Sequence, residues 1–500
     1  MENKNKEKII IVGAGPGGLS AGMLLAHQGF DVHVFEKEST PGGRSRQLVL
    51  GEYKFDYGPT FFMMDFVARE IFKQTGRNLE DYVTLSRLSP MYKLLFADKQ
   101  IDVYEEDEKM MEELAKVFPG EEEGLPLFNQ KEKKRLEYLY PILARNNNNI
   151  FDALRPSFLR TLPYFAIGRT LFQVLGKYFK QPEARLCFTF QSKYLGMSPW
   201  ECPGAFAMVP YVEQQFGIYH VKGGLSEVAS AMAKVVTEEG GNIHYNSKIK
   251  EIIVEGKTAK GVVLENGERV MGDKVIINAD FAYAMNNLLP KGKLKKYSPS
   301  NLAKKKYSCS IFMLYLGVKK QYNLNHHTIA FAKDYEKNVG DIFHGRLTDK
   351  DFSVYVRDAS KTDSTLSPEG KSGLYVLVPV PNNQSGIDWK TQSKILREQT
   401  LDILEKRFGL TDIRENIEVE KILTPADWEN DFNVQYGAVF NLGHQLRQML
   451  WFRPHNQFEE LKNVYLVGGG THPGSGLPTI YESGRIVANL ISKSLNNKKD

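Results

Sequence analysis

The feature that most limits how this sequence can fold is a glycine-rich turn between a short apolar run and a helical pattern. Lys8–Val12 reads KIIIV, and Gly13, Gly15 and Gly18 follow it as GxGxxG. A second apolar run, Asp31–Phe35, comes after the helical stretch. Short apolar runs of this kind are typical of buried parallel strands, so this order predicts a βαβ unit. We therefore expect an α/β fold with a Rossmann-like dinucleotide-binding domain.

The three glycines have separate tasks in such a turn. The first permits the tight turn, the second lets the backbone approach a pyrophosphate, and the third lets the helix pack closely on the strand. Amides at the helix N-terminus then bind the phosphates. Glu36 ends the second strand, where its carboxylate is well placed to accept hydrogen bonds from ribose hydroxyls. The motif alone leaves both FAD and NAD open as the ligand.

The residues after Glu36 extend the predicted ligand site. Residues 41–44 read PGGR, in which two glycines permit a close approach of the backbone to a ligand and Arg44 can bind phosphate. Residues 56–60 (DYGPT) follow, and the sequence has no second GxGxxG for a separate NAD(P) domain. A single dinucleotide is therefore expected, which the family resemblance given below implies to be FAD, with oxygen or a quinone as the acceptor that reoxidises it.

A second glycine-rich segment lies near the C-terminus. Residues 467–485 read VGGGTHPGSGLPTIYESGR, and a buried strand precedes them while a helix starts soon after Pro478. This arrangement directs helix N-terminal amides at one point, where they stabilise negative charge. Reduced flavin carries negative charge at its N1–O2 edge, so the two ends of the chain are expected to fold around one flavin.

Two motifs identify a family. The EKxxxxGGR pattern at residues 36–44 resembles the superfamily of flavin amine oxidases and phytoene desaturases, and THPGxGxP at residues 471–478 resembles the signature of carotenoid desaturases. Residues 222–225 (KGGL) resemble the family's mid-chain glycine segment. The resemblance extends from about residue 8 to residue 492 and is strongest to bacterial desaturases of 4,4′-diapophytoene (dehydrosqualene). Between residues 100 and 220 it is only scattered, which leaves the length of the substrate open.

The resemblance implies an activity and a substrate class. Desaturases of this family remove two hydrogens from adjacent carbons of a long apolar isoprenoid, one as hydride to flavin N5 and one as a proton. A polyene offers no polar handle, so its site should be a long apolar tunnel that reaches the flavin. The same family also contains oxygenases that form carotenoid aldehydes, and the FAD motifs do not separate the two activities. An amine or porphyrinogen oxidase and a non-enzymatic flavoprotein are the alternatives from other classes.

The resemblance also assigns residues to the FAD site. They are Gly13, Gly15, Gly17, Gly18, Glu36, Lys37, Gly43, Arg44, Gly58, Pro59, Thr60, Ile249, Asp280, Gly469, Gly470, Thr471, Gly476, Leu477 and Pro478. Candidate catalytic residues are His472, Asp152 and Arg155. His472 either lies near the flavin, where it tunes the flavin or relays a proton, or braces its loop by hydrogen bonds. Asp152 and Arg155 either lie near the reacting carbons, as the family suggests, or form an ion pair on a helix surface.

Three regions are expected along the chain. Residues 1–100, 220–300 and 445–500 should form a discontinuous FAD-binding domain. Residues 101–219 should form a helical region that contacts the substrate and a membrane. Residues 301–444 should form an inserted substrate domain with a mixed sheet, because they combine alternating strand patterns with one long helical pattern.

Composition excludes several partners and sites. A net charge of +5, from 65 basic and 60 acidic residues, is too mild to indicate nucleic acid. Cys187, Cys202 and Cys309 are too few and too widely spaced for a disulfide framework or a CxxC metal site. The adjacent His326 and His327 lack further ligands at useful spacing, so no metal is expected. The apolar run near the N-terminus is expected to be a strand and not a signal peptide.

Residues 151–180 suggest contact with a lipid surface. Arg155, Arg160, Arg169, Lys177 and Lys180 accompany only one acidic residue in this stretch. Helical spacing places the last three of these near one face and several apolar residues on another. The apolar face either enters a membrane interface beside anionic headgroups or packs into its own domain. We expect a cytoplasmic protein in peripheral contact with the cell membrane, since no apolar run is long enough to span one.

Overall fold

A parallel five-stranded sheet gathers strands from distant parts of the chain. The computed structural model describes residues 6–496, apart from the side chains of residues 150, 152, 194, 495 and 496. The strand order across this sheet is Val464–Leu466, Lys274–Ile277, Lys8–Val12, Asp31–Phe35 and Asn242–His244, and all four pairings are parallel. The central strands are buried on both faces, which explains their continuous apolar sequences.

The helices at the two ends of the chain pack against each other on this sheet. Pro16–His27 contacts Leu477–Asn496, and the apolar residues of both helices join one core with those of Ser226–Glu238. The approach is close because Gly484 has no side chain: a Cβ there would lie 2.5 Å from the carbonyl oxygen of Gly17. The glycine in the YESGR sequence therefore serves helix packing.

A mixed seven-stranded sheet forms the second layer of strands. Its order is Ile417–Leu423, Ser310–Val318, Ser372–Val380, Val354–Asp358, His327–Ala330, Tyr92–Leu95 and Gln100–Val103, with one parallel pairing among antiparallel ones. The long helix Trp389–Phe408 packs its apolar residues on one face of this sheet. The opposite face contributes residues to the site described below.

Three smaller sheets and further helices complete the described structure. The remaining strands are Gln47–Leu50 with Tyr53–Asp56, Leu85–Arg87 with Tyr219–Val221, and the antiparallel set Ile249–Glu255, Thr258–Leu264 and Arg269–Met271. The other α-helices are Asp65–Gln74, Asp107–Val117, Gly124–Leu143, Pro156–Leu159, Leu171–Leu175, Pro182–Leu186, Met208–Phe216, Phe281–Asn287, Pro299–Ala303, Tyr335–Phe343, Ile413–Asn416 and Pro425–Asn430. Short 3₁₀ turns include Gly43–Ser45, Ile150–Leu154, Phe190–Leu195 and Leu450–Phe452. The predicted α/β fold with a mixed sheet is confirmed.

The region from residue 151 to 180 differs from its predicted form. The helix Leu171–Leu175 is only five residues long and ends at Gly176, so Arg169, Lys177 and Lys180 do not share one helix. Leu171 and Leu175 are fully buried and belong to the core of the helical region. Their apolar face therefore packs into the protein, which is the second of the two alternatives. Exposed apolar side chains lie earlier in the segment and are described below.

Of the helices that the structure describes, none combines the length and the apolar character that crossing a bilayer requires.

Candidate functional site

A large cavity lies where the parallel sheet meets the mixed sheet. Val12, Glu36, Asn278 and Gly468 line it, and each stands at or just beyond the carboxyl end of a parallel strand. Ligands of open α/β sheets bind outside these strand ends. Side chains of the mixed sheet form the opposite wall.

Most of the residues assigned to a dinucleotide reach this one cavity. The lining contains Gly13, Gly15, Glu36, Lys37, Gly43, Arg44, Gly58, Pro59, Thr60, Ile249, Asp280, Gly469, Gly476, Leu477 and Pro478. Gly17, Gly18, Gly470 and Thr471 are not in the lining. Gly18 packs against the turn instead, because a Cβ there would lie 2.5 Å from the carbonyl oxygen of Gly13. Thr471 donates a 2.6 Å hydrogen bond from its hydroxyl to the carbonyl of Pro454.

The glycine turn is held by a residue that sequence analysis missed as a site residue. Asn278 follows the strand Lys274–Ile277, and its Nδ2 donates to the carbonyl oxygens of Gly13 at 2.9 Å and Gly15 at 3.2 Å. The helix Pro16–His27 begins at this turn, and its N-cap, Gly15, supplies no side-chain hydrogen bond. No side chain of the N-cap residue therefore accepts from the amides of the first helical turn. These amides lie at the cavity wall, where they can donate to an anionic phosphate. A polar residue ending a buried strand was the signal that could have identified Asn278.

The Glu36 carboxylate is buried and fixed by backbone amides. Its Oε2 accepts from the N–H of Ala14 at 2.7 Å, and its Oε1 accepts from the N–H of Glu38 at 3.0 Å. Burial raises the pKa of Glu36, while these two amides act in the opposite direction. Each oxygen keeps a lone pair, so the carboxylate can also accept hydroxyl hydrogen bonds from a ribose.

Arg44 and Asp280 form the charged part of the wall. Arg44 Nη1 donates to the carbonyl of Val439 at 2.6 Å. Burial lowers the pKa of Arg44 and raises that of Asp280, and the attraction between the two charges opposes both shifts. Asp280 also caps the helix Phe281–Asn287, because its side chain accepts from the N–H of Tyr283 at 3.0 Å. The pair keeps a cationic guanidinium at the cavity in a fixed position.

The C-terminal glycines are held by Arg453, which sequence analysis also missed. The guanidinium is fully buried and donates to five carbonyl oxygens. These belong to Thr471 (3.0 Å), Gly443 (3.3 Å), Gln448 (3.2 Å), Leu442 (3.2 Å) and Gly469 (2.6 Å). Burial lowers the pKa of Arg453 to about 9. The side chain thus ties the glycine segment to the preceding loop.

His472 occupies the bracing position of its two predicted alternatives. The ring is buried and does not line the cavity. Its Nε2 lies 2.9 Å from the carbonyl oxygen of Arg145 and 3.1 Å from that of Leu143, so this nitrogen carries the proton and donates. Burial lowers the pKa of His472 to about 4, which keeps the imidazole neutral. The side chain joins the signature loop to the end of the helix Gly124–Leu143, and we do not propose it as catalytic.

This burial predicts that acid destabilises the protein. The unfolded chain protonates His472 near its ordinary pKa of 6.5, whereas the folded chain resists protonation until about pH 4. Stability from this group is therefore complete above about pH 6.5 and is lost as the pH falls toward 4, by up to roughly 3 kcal/mol. We expect His472→Gln, which keeps an N–H donor but cannot protonate, to reduce the fall in unfolding free energy measured between about pH 7 and about pH 5. Equal falls in both proteins would contradict this assignment.

The other two candidate catalytic residues are Arg155 and Asp152. Arg155 is exposed, and it does not belong to the cavity lining. The hypothesis that Arg155 lies near the reacting carbons stays a prediction. The side chain of Asp152 lies outside the described part of the structure.

The mixed sheet brings a hydrogen-bonded chain of polar groups to the cavity. The Tyr355 hydroxyl lies 2.7 Å from Thr60 Oγ1 and 2.8 Å from His327 Nδ1. The ring of Phe61 stacks on His327 with centroids 4.1 Å apart. Burial lowers the pKa of His327 well below its ordinary value, so its imidazole is neutral. Tyr355 and Thr60 line the cavity, and His327 stands behind them.

The rest of the opposite wall is mainly apolar, with one cation. Phe61, Phe190, Ile311, Ile329, Leu377 and Pro379 line it. Lys193 also lines it, and its ammonium lies 4.9 Å from the ring centroid of Tyr335. Burial lowers the pKa of Lys193 to about 7, and the nearby Cys309 acts weakly in the opposite direction. Sequence analysis missed Lys193, because nothing in its local sequence separates it from a surface lysine.

Comparison with known proteins identifies the family. Residues 16–492 match the family model described as flavin containing amine oxidoreductase. The chain is 54% identical over 489 residues to a 4,4′-diapophytoene desaturase (4,4′-diapolycopene-forming) of Methylomonas sp, with 98% of this chain and 96% of that protein covered. It is 39% identical over 488 residues to a zeta-carotene-forming phytoene desaturase of Myxococcus xanthus, with 96% and 93% covered.

A solved structure shares the fold at low sequence identity. It is an oxidoreductase from Methanosarcina mazei, with a TM-score of 0.63, 16% identity, and coverage of 96% of this chain and 100% of that one. The predicted family and the prediction of a flavin-dependent oxidoreductase are confirmed by the family match and the relatives. The chain belongs to the flavin-containing amine oxidoreductases and, within that family, to the carotenoid desaturases.

Proposed function

We propose that this protein is an FAD-dependent desaturase that introduces conjugated double bonds into a long apolar isoprenoid, either 4,4′-diapophytoene or phytoene. The observation that carries the proposal is a single cavity with two unlike walls. One wall consists of glycine turns, helix N-termini, Glu36 and Arg44, and the other is mainly apolar. A dinucleotide suits the first wall and a hydrocarbon the second.

In this proposal the chain holds FAD through the residues of the first wall. Amides around Gly15 face the pyrophosphate, Glu36 accepts from a ribose hydroxyl, and Arg44 offers its guanidinium to the phosphates. The segment from Gly58 to Thr60 and the amides beginning at Leu477 lie beside the ring system. When bound, oxidised FAD accepts a hydride from a carbon of the substrate. The residues around it orient both partners and exclude water.

The proton that desaturation releases requires an acceptor at the cavity. The Tyr355 hydroxyl stands between Thr60 and His327, so its oxygen can take up a proton while its own proton moves to His327 Nδ1. In the tautomer that is protonated at Nε2, His327 Nδ1 has the lone pair that accepts this proton. We propose Tyr355 as the group that removes the proton and His327 as its partner.

We expect Tyr355→Phe to lower the turnover number by about 100-fold, in the range typical of lost acid–base assistance, while the protein keeps its flavin. The ring remains, so the apolar contacts of Tyr355 persist. Steady-state kinetics with a detergent-dispersed polyene, together with the flavin absorbance spectrum, checks this. Tyr315→Phe is the matched control: Tyr315 is buried, but its hydroxyl donates to the carbonyl of Tyr57 at 2.5 Å and does not line the cavity. Equal losses in the two variants would remove Tyr355 from the mechanism.

Product formation tests the reaction. Expressed in cells that accumulate dehydrosqualene, the protein should give yellow to red conjugated polyenes, which absorption and mass spectra identify. A parallel strain that supplies the forty-carbon precursor determines the preferred substrate length. Colourless cells that contain folded, flavin-bound protein would contradict the proposal. Aldehyde or acid end groups on an already desaturated polyene would instead favour an oxygenase.

We also propose peripheral contact with the cytoplasmic face of the cell membrane, with oxygen or a quinone as the final electron acceptor. The substrate is nearly insoluble in water, so it must arrive from a bilayer. Several exposed apolar side chains lie close together in sequence: Phe151, Leu154, Leu159, Leu162 and Ile167. Side chains of this kind enter the interfacial region of a bilayer. We therefore propose these exposed side chains as the membrane contact, in place of the apolar face of the helix Leu171–Leu175, which is buried.

A further inference from the structure

A cleft on the protein surface collects positive charge. Its lining contains six basic side chains: Arg169, Lys296, Lys304, Lys305, Lys306 and Arg447. Among the described residues that line it, Glu201 is the only acidic one. The cleft encloses about 800 Å³, and it lies outside the cavity assigned to flavin and substrate, with which it shares no lining residue.

Most of these cations have no partner of opposite charge in the protein. Lys296 pairs with Glu459 at 2.6 Å, but the other five make no ion pair within the part of the chain that the structure describes. Residues 291–306 contain seven lysines and no acidic residue. Burial lowers the pKa of Lys305, and the repulsion from the positive charge of Lys296 lowers it further. A bound anion would relieve this repulsion between like charges.

Exposed apolar side chains lie in the cleft lining and on the segments that carry it, and they are called its rim here. Leu446 belongs to the lining and is 44% exposed, and Ile167, which directly precedes the lining residues Gly168 and Arg169, is 67% exposed. Phe452, on the same segment as Leu446, is 52% exposed.

The two rim segments are in direct contact. The rings of Phe158 and Trp451 meet with centroids 4.9 Å apart, which joins residues 151–170 to residues 445–452. The two segments that carry the exposed apolar side chains therefore lie next to each other beside the cations, and exposed apolar side chains gathered in this way are typical of an interaction site.

We propose that this cleft binds the phosphate headgroup of an anionic phospholipid while Ile167 and Leu446 enter the acyl region beside it. The inference rests on the membrane contact in the proposed function and specifies the lipid and its binding residues. Basic side chains attract anionic headgroups, and neighbouring apolar side chains enter the bilayer interface. Free phosphate or a nucleic acid would match the charge but would leave the apolar rim exposed to water. The combination of both surfaces favours a lipid.

The test uses the full-length, flavin-loaded protein and sedimentation with vesicles. We expect binding to vesicles of phosphatidylcholine with phosphatidylglycerol and much weaker binding to phosphatidylcholine alone. The triple variant Lys304→Gln/Lys305→Gln/Lys306→Gln should bind the anionic vesicles at least about ten-fold more weakly. The control Lys250→Gln/Lys257→Gln/Lys260→Gln removes the same charge from exposed positions outside the cleft and should bind like the unmodified protein.

Three results would overturn the proposal. The first is that the control triple variant weakens vesicle binding as much as the cleft variant does. The second is equal binding of the unmodified protein to neutral and anionic vesicles. The third is release from the vesicles by inorganic phosphate but not by chloride at equal ionic strength, which would indicate a site for free phosphate. The double variant Arg169→Gln/Arg447→Gln repeats the test from the other side of the cleft if the first variant folds poorly, as judged by flavin absorbance. Activity on a detergent-dispersed polyene separates the two proposals. If the unmodified protein has no activity on this polyene, the proposed function is contradicted. The vesicle-binding experiment still tests whether the cleft binds an anionic phospholipid.

Discussion

Purified Gly15→Val protein should carry no flavin and have no desaturase activity. Gly15 lines the cavity at the N-terminus of the helix Pro16–His27, and a Cβ there would lie 3.0 Å from Asn278 Nδ2. The backbone φ of −76° suits any residue, so the expected loss comes from the methyl groups of valine, which occupy the space for the pyrophosphate. Absorbance of the purified protein, before and after addition of FAD, measures the effect.

The matched control is Gly340→Val. Gly340 lies in the helix Tyr335–Phe343, outside the cavity lining, and a Cβ there meets no atom within 4 Å. This variant should keep the flavin, and its free energy of unfolding should be unchanged or rise by up to about 0.5 kcal/mol, because valine has a higher helix propensity than glycine. A normal flavin spectrum in folded Gly15→Val protein would contradict the placement of the pyrophosphate.

Arg453→Met should lower the free energy of unfolding by roughly 3–5 kcal/mol and weaken flavin retention. The substitution leaves five buried carbonyl groups without the donor that they now share. One of these carbonyls belongs to Gly469, which lines the cavity, so the loss of the guanidinium also loosens the wall around the flavin. Urea unfolding, followed by flavin fluorescence, measures both effects.

Arg447→Met serves as the control for this change. Arg447 lies six residues before Arg453 in the chain and is exposed. The substitution removes the same charge and the same hydrogen-bond donors as Arg453→Met does, but it removes them from a side chain that water surrounds. Its unfolding free energy should change by less than about 0.5 kcal/mol. If Arg453→Met were as stable as Arg447→Met, the carbonyl cluster would not be what holds the glycine segment.

The glycine-rich wall of the cavity could be located from sequence because its signals are local. The apolar runs Lys8–Val12 and Asp31–Phe35 are typical of buried parallel strands, and GxGxxG between them is typical of a dinucleotide-binding turn. The C-terminal glycines follow a strand and precede a helix in the same way. In each case the residues that define the structure are neighbours in the chain, so their spacing is informative.

The rest of the site depends on contacts between residues that are distant in sequence. Tyr355, His327 and Thr60 come from two strands of the mixed sheet and a loop, and only the pairing of those strands brings their polar atoms together. Arg453 follows a short 3₁₀ turn, where nothing marks an arginine as buried. His472 shows the same limit, because its place inside a signature left chemistry and bracing both open, and only the fold brings its ring to the end of a distant helix.

The same limit explains the result for residues 151–180. Helical spacing predicted a basic face and an apolar face on one helix, but Gly176 ends the helix Leu171–Leu175 and the apolar residues pack into the core. The cations that gather at the surface cleft come from three segments, around Arg169, Lys304 and Arg447, so no single window of sequence contains them.

The most direct test of the account mixes the purified, flavin-loaded protein with detergent-dispersed 4,4′-diapophytoene in the absence of oxygen. The absorbance of oxidised flavin should disappear while a longer conjugated polyene forms, with about one new double bond for each flavin reduced. Admission of oxygen or addition of a quinone should restore the flavin band. Flavin that stays oxidised beside an unchanged polyene, with both thirty-carbon and forty-carbon substrates, would contradict the assignment of this cavity to polyene desaturation.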